Sequence, residues 1–416
     1  MINNHTSTLV PIGTWLYHSP RLRINNINID MGLVCEALIY YDKVCISIDS
    51  KDQFNAIVFW FQKQNAFDKL LKLLYDQSIN FAYNSFITVP IKKDNSYIFA
   101  NIQDEEARDN NVFNQRILYN SDLNNITKTK ERTKLFKAIV NNVVELKADD
   151  MGNSVNNAES DFNDPEKSDI IIQSFIDDLY AEFGYEKPVS VQSSLKKIGT
   201  NTSITWNVDF DDLNNKTENK LNINNGAPLT GILHCNRFIK TSSIVKSDLY
   251  LTSAMNSLVN NKLAEIKSKN TKISSVVKEL NIEVEFPKIS DLINAGVLTF
   301  NNILIIRKEA KKFRNWLQQE GERDRNAIIA YHHEVAEKTK LIKYGGGFLS
   351  ATGGALLAGT IATTTLGPLA SAPAAAVGAG VGQVVDKFIS SFNEDWKPVV
   401  FGNWVTKYVK PVEWAE

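Results

Sequence analysis

The spacing of apolar and polar positions changes period several times along the chain. ALIYYDKVCISID, residues 37–49, is dense in β-branched and aromatic residues and predicts one or two strands broken near Asp42 and Lys43. From Phe54 to Leu74, the residues Ile57, Phe61, Phe67, Leu70, Leu71 and Leu74 recur at mostly helical spacing, with charged residues between them. INFAYNSFITVP, residues 79–90, reads as extended and is stopped by Pro90. These segments predict a small α/β unit with its own core over residues 1–110.

Helical periods dominate afterwards and predict a mainly helical body over residues 111–300. Phe136, Ile139, Val143 and Leu146 fall on one helix face, following the basic stretch KTKERTKLFK, residues 128–137. The polar segment at 149–166 reads as an exposed loop or hinge. Ser168 or Asp169 can then cap a helix with the apolar stripe Ile172, Phe175, Ile176, Leu179 and Phe183. SITWNVDF, residues 203–210, alternates Ile204, Trp206, Val208 and Phe210 with small or polar residues, the period of a half-buried strand. Leu251, Met255, Leu258 and Ile266 restore helical spacing, with Lys262 the polar interruption. After Pro287 the pattern gives a short helix, a turn at Gly296 and long helices, which form a basic stalk over residues 301–343.

That stalk runs into 42 residues without a charge, 344–385. The segment can be two membrane-spanning helices, a glycine-rich hairpin buried in a soluble protein, or a linker. A membrane-crossing helix needs roughly 20 apolar residues, so the length suits two crossings. Pro368 and Pro373 stand in the middle, where a hairpin turns and a single long helix would break. Large apolar side chains are sparse between 345 and 366, which makes insertion of one hairpin marginal. Small residues favour packing between helices instead. Gly353 and Gly354, the pair Ala355 and Gly359, and the pair Gly378 and Gly382 allow close backbone approach, while Thr360, Thr363 and Thr364 can bond across helices or line a wet pore. Both roles need several copies, so a homo-oligomer is expected. Lys338, Lys340 and Lys343 before the run, with Lys387 and Lys397 after it, put both ends on the cytoplasmic side. The hairpin is bounded at 344–392, and the aromatic tail 393–416, with Trp396, Trp404, Tyr408 and Trp414, suits either a membrane interface or docking on the body. The expected fold class is thus mainly α with a small N-terminal α/β unit, its long helices leading into a C-terminal two-helix transmembrane hairpin.

Composition narrows the function classes. The chain has 416 residues, 43% hydrophobic and 22% charged, which is ordinary for a globular protein of two or three packed regions. A formal net charge of −1 leaves room for local polyanion sites only. Cys35, Cys45 and Cys235 form no CxxC pair and suit a reducing cytosol, and the amino terminus has no signal-peptide pattern. There is no phosphate loop, GxGxxG, GxSxG or HExxH. His332, His333 and Glu334 are adjacent and cannot easily chelate one ion, His234 with Cys235 reads as packing, and the neighbours Asp211 and Asp212 read as surface carboxylates. No catalytic residue, metal or cofactor is assigned.

Basic clusters are the remaining lead. Arg307, Lys308, Lys311, Lys312 and Arg314 recur at spacings of three and four, and Lys128, Lys130, Arg132, Lys134 and Lys137 form a second group. Both are either solvated helix faces or phosphate-contacting surfaces for a nucleotide or oligonucleotide.

Three classes follow: a regulated membrane effector with a cytoplasmic body, a soluble oligomeric interaction protein with the hairpin buried between subunits, or an enzyme with an unrecognised site. ALIYYDKV and IIRKEAKKFRNWL, residues 305–317, resemble stretches of bacterial proteins, some of them linked to phage defence. The layout resembles the membrane effectors of abortive-infection systems, in particular the ion-channel component of the Hailong defence system. The resemblance implies a bacterial inner-membrane channel held shut by a DNA oligomer from a partner nucleotidyltransferase. Release of that inhibitor would depolarise the membrane. The resemblance supplies a role and no ligand residues.

Overall fold

The computed structural model describes residues 7–12, 22–24, 27–84, 86–93, 96–103, 127–146, 190–198, 201–208, 210–216, 227–251, 289–294 and 298–311, with single positions among and just after them. Two compact units are present, Met1–Thr271 with Ile289–Asn301, and Lys272–Lys288 with Asn302–Glu416.

The first unit is mixed α/β. Its main sheet holds β1 (Ser7–Pro11), β4 (Lys43–Ile48), β5 (Ile79–Asn84), β8 (Val143–Leu146) and β11 (Asp248–Leu249), all parallel, in the order β11-β1-β4-β5-β8. β1, β4 and β5 are buried along nearly their whole length, the signature of parallel strands covered on both faces. The first three connections step in one direction from β1, and the last returns to the opposite side of it. The switch point of the sheet therefore lies beside β1. A second sheet is antiparallel, β6 (Phe86–Lys93), β7 (Ser96–Gln103), β10 (Asn201–Trp206) and β9 (Ser193–Ile198) in that order. Pro90 does not stop the extended run as expected: β6 continues to Lys93, and the proline is tolerated because β6 is an edge strand of this sheet. A short hairpin, β2 (Leu22–Ile24) and β3 (Ile27–Ile29), precedes the first helix.

That helix, α1 (Met31–Tyr40), corrects the first expectation: ALIY ends a helix, and the strand begins only at Lys43. All ten of its residues are buried, so it has no polar face and no 3.6-residue alternation to display. Asp30 caps it, its Oδ1 accepting the Leu33 N–H at 2.8 Å. Gly32 lies against α7 (Ile289–Asn294), where a Cβ would stand 2.1 Å from the Ser290 carbonyl oxygen, so only glycine fits.

α2 (Lys51–Lys63) and α3 (Phe67–Tyr75) confirm the helical spacing between Phe54 and Leu74. Trp60 and Phe61 close edge to face on Phe300, with centroids 5.8 and 4.7 Å away, and Phe54 meets Phe81 at 5.4 Å. A second correction falls on the Phe136–Leu146 stripe. Helix α4 (Thr129–Ile139) ends at the stripe's middle and buries Leu135, Ala138 and Ile139, while Val143 and Leu146 belong to β8. Asn142 makes the break: its Nδ2 donates to the carbonyls of Leu74 (2.7 Å) and Ala138 (2.6 Å). Its own carbonyl accepts the Phe81 N–H at 2.7 Å, which aligns the two β-branched valines that follow with β5.

The body expected to be mainly helical thus supplies strands to both sheets, and the fold is mixed α/β. The strand expected over SITWNVDF is present only as far as Trp206, since the chain bends at Asn207 and Phe210 opens a helix, while the short helix, turn and helix around Gly296 are as expected: α7, Gly296 at φ +74°, and α8 (Phe300–Glu309). α5 (Phe210–Lys216) carries exposed Asp211 and Asp212, and the long α6 (Ala227–Val245) leads to β11. In the second unit, Ile303, Ile306 and Ala310 are buried at helical spacing, with Lys308 and Lys311 outward. No helix among the described residues is long and apolar enough to cross a membrane. The expected hairpin 344–392 and tail 393–416 lie outside the described residues.

Candidate functional site

Three places in the structure bear on ligand binding. The first is the amino-terminal end of α1, where the loop after the first strand of a nucleotide-binding sheet ordinarily holds phosphate. Here the seat is closed from within. Asp30 takes the Leu33 N–H, and Asn294 on α7 accepts the Gly32 N–H through Oδ1 at 2.9 Å. The same amide donates through Nδ2 to Asp30 Oδ1 at 2.9 Å, and Ser290 N–H donates to Glu36 Oε2 at 3.3 Å. A buried carboxylate already neutralises the positive end of the helix, and α7 fills the space.

The second place is the carboxyl edge of β4 and β5. Asp49 follows β4, and Asn84 ends β5. Ser50 caps α2 by accepting the Gln53 N–H at 3.2 Å, and Gln53 Oε1 accepts the Asp49 N–H at 2.8 Å, which fixes the backbone below the carboxylate. Asn84 Nδ2 donates to Ser47 Oγ at 3.2 Å and to Asp49 Oδ1 at 2.8 Å. From α6, Arg237 Nη2 donates to Asp49 Oδ2 at 2.9 Å, an ion pair whose side chains are 8% and 19% exposed. The same Nη2 lies 3.5 Å from His234 Nδ1. Burial, and then the charge of Arg237, hold the His234 pKa well below the usual imidazole range, so the ring is neutral beside the guanidinium. One residue from Arg237, Asn236 Nδ2 donates to Asp161 Oδ2 at 2.9 Å. Two polar atoms of the cluster, Asn84 Oδ1 and Arg237 Nε, are buried without a hydrogen-bond partner.

The third place is the surface formed by α3 and α4. Lys130, Lys134 and Lys137 follow one face of α4 at exposed positions, with Lys128 exposed at its N-cap. Glu131 Oε2 accepts the Lys128 N–H at 2.9 Å. Arg132 is half-buried and donates to Thr129 Oγ1 at 3.1 Å. Tyr75, 59% exposed at the end of α3, donates its hydroxyl to the Lys134 carbonyl at 3.4 Å, which ties the end of α3 to α4 at Lys134. Lys72 lies one turn earlier on α3, also exposed. Exposed lysines on two helices that also carry an exposed aromatic ring suit a nucleotide or a single strand, since phosphate meets ammonium and base meets ring.

The sequence-predicted residues divide accordingly. Lys128, Lys130 and Lys134 share the α4 surface. Lys308 and Lys311 are exposed and Arg307 half-buried in the second unit, while Arg314 is buried and donates Nη1 to the Arg307 carbonyl at 2.7 Å. Lys312 and the eight pore or packing residues, Gly353, Gly354, Gly359, Thr360, Thr363, Thr364, Gly378 and Gly382, lie outside the described residues, as do His332 and His333. The sequence reading missed Tyr75, Ser47, Asp49, Asn84 and Arg237. The signal for Asp49 was its place between a β-branched run and the Ser50 cap. Nothing in the linear sequence links Asn84 or Arg237 to it.

Cys35, Cys45 and Cys235 are buried and form no disulfide. Burial pushes the Cys45 thiol up to about 12, and burial with the nearby Asp30 and Glu36 charges raises Cys35 well above its ordinary range, so neither ionises to a nucleophile near neutrality. Among the described residues, no three His, Cys, Asp or Glu side chains are grouped to hold a metal ion. No family model matches the chain, and no curated protein or solved structure matches it.

Proposed function

We propose that the chain is a regulated membrane effector of bacterial antiphage defence. A cytoplasmic α/β body takes an anionic nucleotide or DNA-oligomer ligand. The charge-free C-terminal segments of several copies assemble in the inner membrane as an ion-conducting pore whose opening depolarises it. The observation that carries this reading is the 42-residue uncharged run 344–385, divided by two prolines and bracketed by lysines. Its small residues suit helix association more than solitary insertion, so pore formation is tied to assembly. The ligand half of the reading is supported by exposed Tyr75, bonded to the Lys134 carbonyl, and by exposed Lys72, Lys130, Lys134 and Lys137 on the same two helices.

The test is conductance of the purified full-length protein in a planar bilayer, with and without single-stranded oligonucleotides. Stepwise currents that oligonucleotides change are expected. Gly359→Leu, which blocks close helix approach, should abolish them while leaving the body folded. Absence of conductance together with full recovery in the soluble fraction would overturn the reading in favour of a soluble interaction protein.

A further inference from the structure

The α/β unit is built from two stretches of chain, Met1–Thr271 and Ile289–Asn301, and the residues on both sides of the second stretch belong to the other unit. The second stretch supplies no strand, since every described strand lies between Ser7 and Leu249. It is held to the unit at two places. On α1, Asn294 Oδ1 accepts the Gly32 N–H, Asn294 Nδ2 donates to Asp30 Oδ1, and the Ser290 N–H donates to Glu36 Oε2. On α2, Phe300 lies edge to face against Trp60 and Phe61. Between these places the Gly296 N–H donates to the Ile293 carbonyl at 3.0 Å and the Leu298 N–H to the Leu292 carbonyl at 3.1 Å. These two bonds, with Gly296 at φ +74°, fold α7 and the start of α8 into one piece.

Detaching that piece breaks the two attachments and no strand ladder. α1 keeps its cap, because Asp30 Oδ1 accepts the Leu33 N–H within the helix end itself. The Gly32 N–H and the Asp30 carboxylate then exchange Asn294 for water. A piece outside the sheet with few attachments opens at a lower free energy than the core strands. α8 begins in this unit with Phe300 and Asn301 and ends beyond it at Glu309, so the helix carries the displacement out of the unit. We infer that α7, the Gly296 turn and Phe300 form a strap, latched by Asn294, that leaves α1 and α2 as one piece while the parallel sheet stays folded. The chain after α8 leads to the uncharged run, so release of the strap would regulate the pore proposed above. The strap itself does not rest on that reading.

The test is hydrogen–deuterium exchange of the full-length protein without denaturant, read by mass spectrometry on peptides covering Ile289–Asn301, β4 and β5, before and after Asn294→Ala. In the unaltered protein, α7 and the first turn of α8 should share one protection factor, lower than that of β4 and β5 by about ten-fold or more. Asn294→Ala should lower the protection of the strap by roughly a further ten-fold and leave β4 and β5 as they were. Protection of the strap equal to that of β4 and β5 would overturn the inference and make α7 part of the cooperative core. Separate protection of α7 and of the first turn of α8 would overturn it as well, as would a loss in the variant shared equally by β4 and β5. The unaltered protein decides the first two points even if Asn294→Ala does not fold. No membrane enters these measurements, so failure of the pore reading and failure of the strap are told apart.

Discussion

Replacing Gly32 with alanine sets two physical effects against each other, and their sum has a definite sign. In a helix, alanine is favoured over glycine by up to about 1 kcal/mol. At this position, however, the added Cβ would stand 2.1 Å from the Ser290 carbonyl oxygen, 2.7 Å from its carbon and 2.8 Å from Asn294 Nδ2. Heavy atoms in good contact are separated by about 3.5 Å, so α1 and α7 must move apart by more than 1 Å. Overpacking of that kind costs about 1–3 kcal/mol. The same movement stretches the Gly32 N–H to Asn294 bond and the Asn294 to Asp30 bond, both buried and both 2.9 Å. Leaving such groups unsatisfied costs about 1–3 kcal/mol more. The net expectation is a loss of about 2–4 kcal/mol, a large part of the 5–15 kcal/mol typical of a folded protein. Urea unfolding followed by circular dichroism measures it as a lowered midpoint. Because the clash is with backbone, a second substitution, Ser290→Gly, should not rescue the variant. An unchanged or raised midpoint for Gly32→Ala would refute the close approach of α1 and α7.

Burial lifts the Asp248 carboxyl from 3.8 to about 6, so the folded chain keeps that proton over an interval in which the unfolded chain releases it. Its contribution to stability is therefore greatest below pH 3.8, falls as pH rises to 6 and stays low above. Asp248→Asn should flatten this fall and gain up to about 3 kcal/mol at pH 7, read from urea midpoints across pH. Asp49→Asn and Arg237→Met should each destabilise the protein by about 2 kcal/mol. The double variant should lose at least 1 kcal/mol less than the two separate losses combined, roughly the coupling of a part-buried pair, and strict additivity would deny the ion pair. Reversing Lys130 and Lys134 to glutamate should weaken oligonucleotide binding and lessen its salt dependence, while Tyr75→Ala should weaken it with the salt dependence kept. Indistinguishable titrations by fluorescence anisotropy would remove the α3–α4 surface from consideration.

Much of the fold was legible where one face of an element is wet. α3 alternates buried and exposed positions, α2 keeps its charged residues at the ends of a buried run, and the run from Ile79 is extended as its composition implies. α1 was illegible for the opposite reason, since burial on every side removes the polar positions that reveal a helical period. Its traces in the sequence were Asp30 as a cap and Gly32 as a contact residue, and both acquire meaning only once α7, some 260 residues later, is in place. The stripe from Phe136 to Leu146 misled because spacings of three and four continue across a boundary set by the side chain of Asn142. The candidate site was less legible than the fold. Asn84 lies 35 residues from Asp49 and Arg237 188; the pairing of β4 with β5 brings the first to Asp49, and the packing of α6 brings the second.

The lysines of α4 sit in a place that helix stability alone does not favour. Lys128 at the N-cap and Lys130 in the first turn face the positive end of the macrodipole, and Lys128 has no side-chain cap bond to offer. Glu131 offsets part of this by accepting the Lys128 N–H and by its own charge. An anion bound there would meet the lysines and the helix dipole with the same sign of attraction, so the charges that burden the free helix are the ones that favour the complex. This separates the two accounts of the surface. If the lysines serve an anionic ligand, Lys128→Glu and Lys130→Glu must raise the stability of the protein and lower its affinity for oligonucleotide together. If the face is solvated and nothing more, only the first change appears.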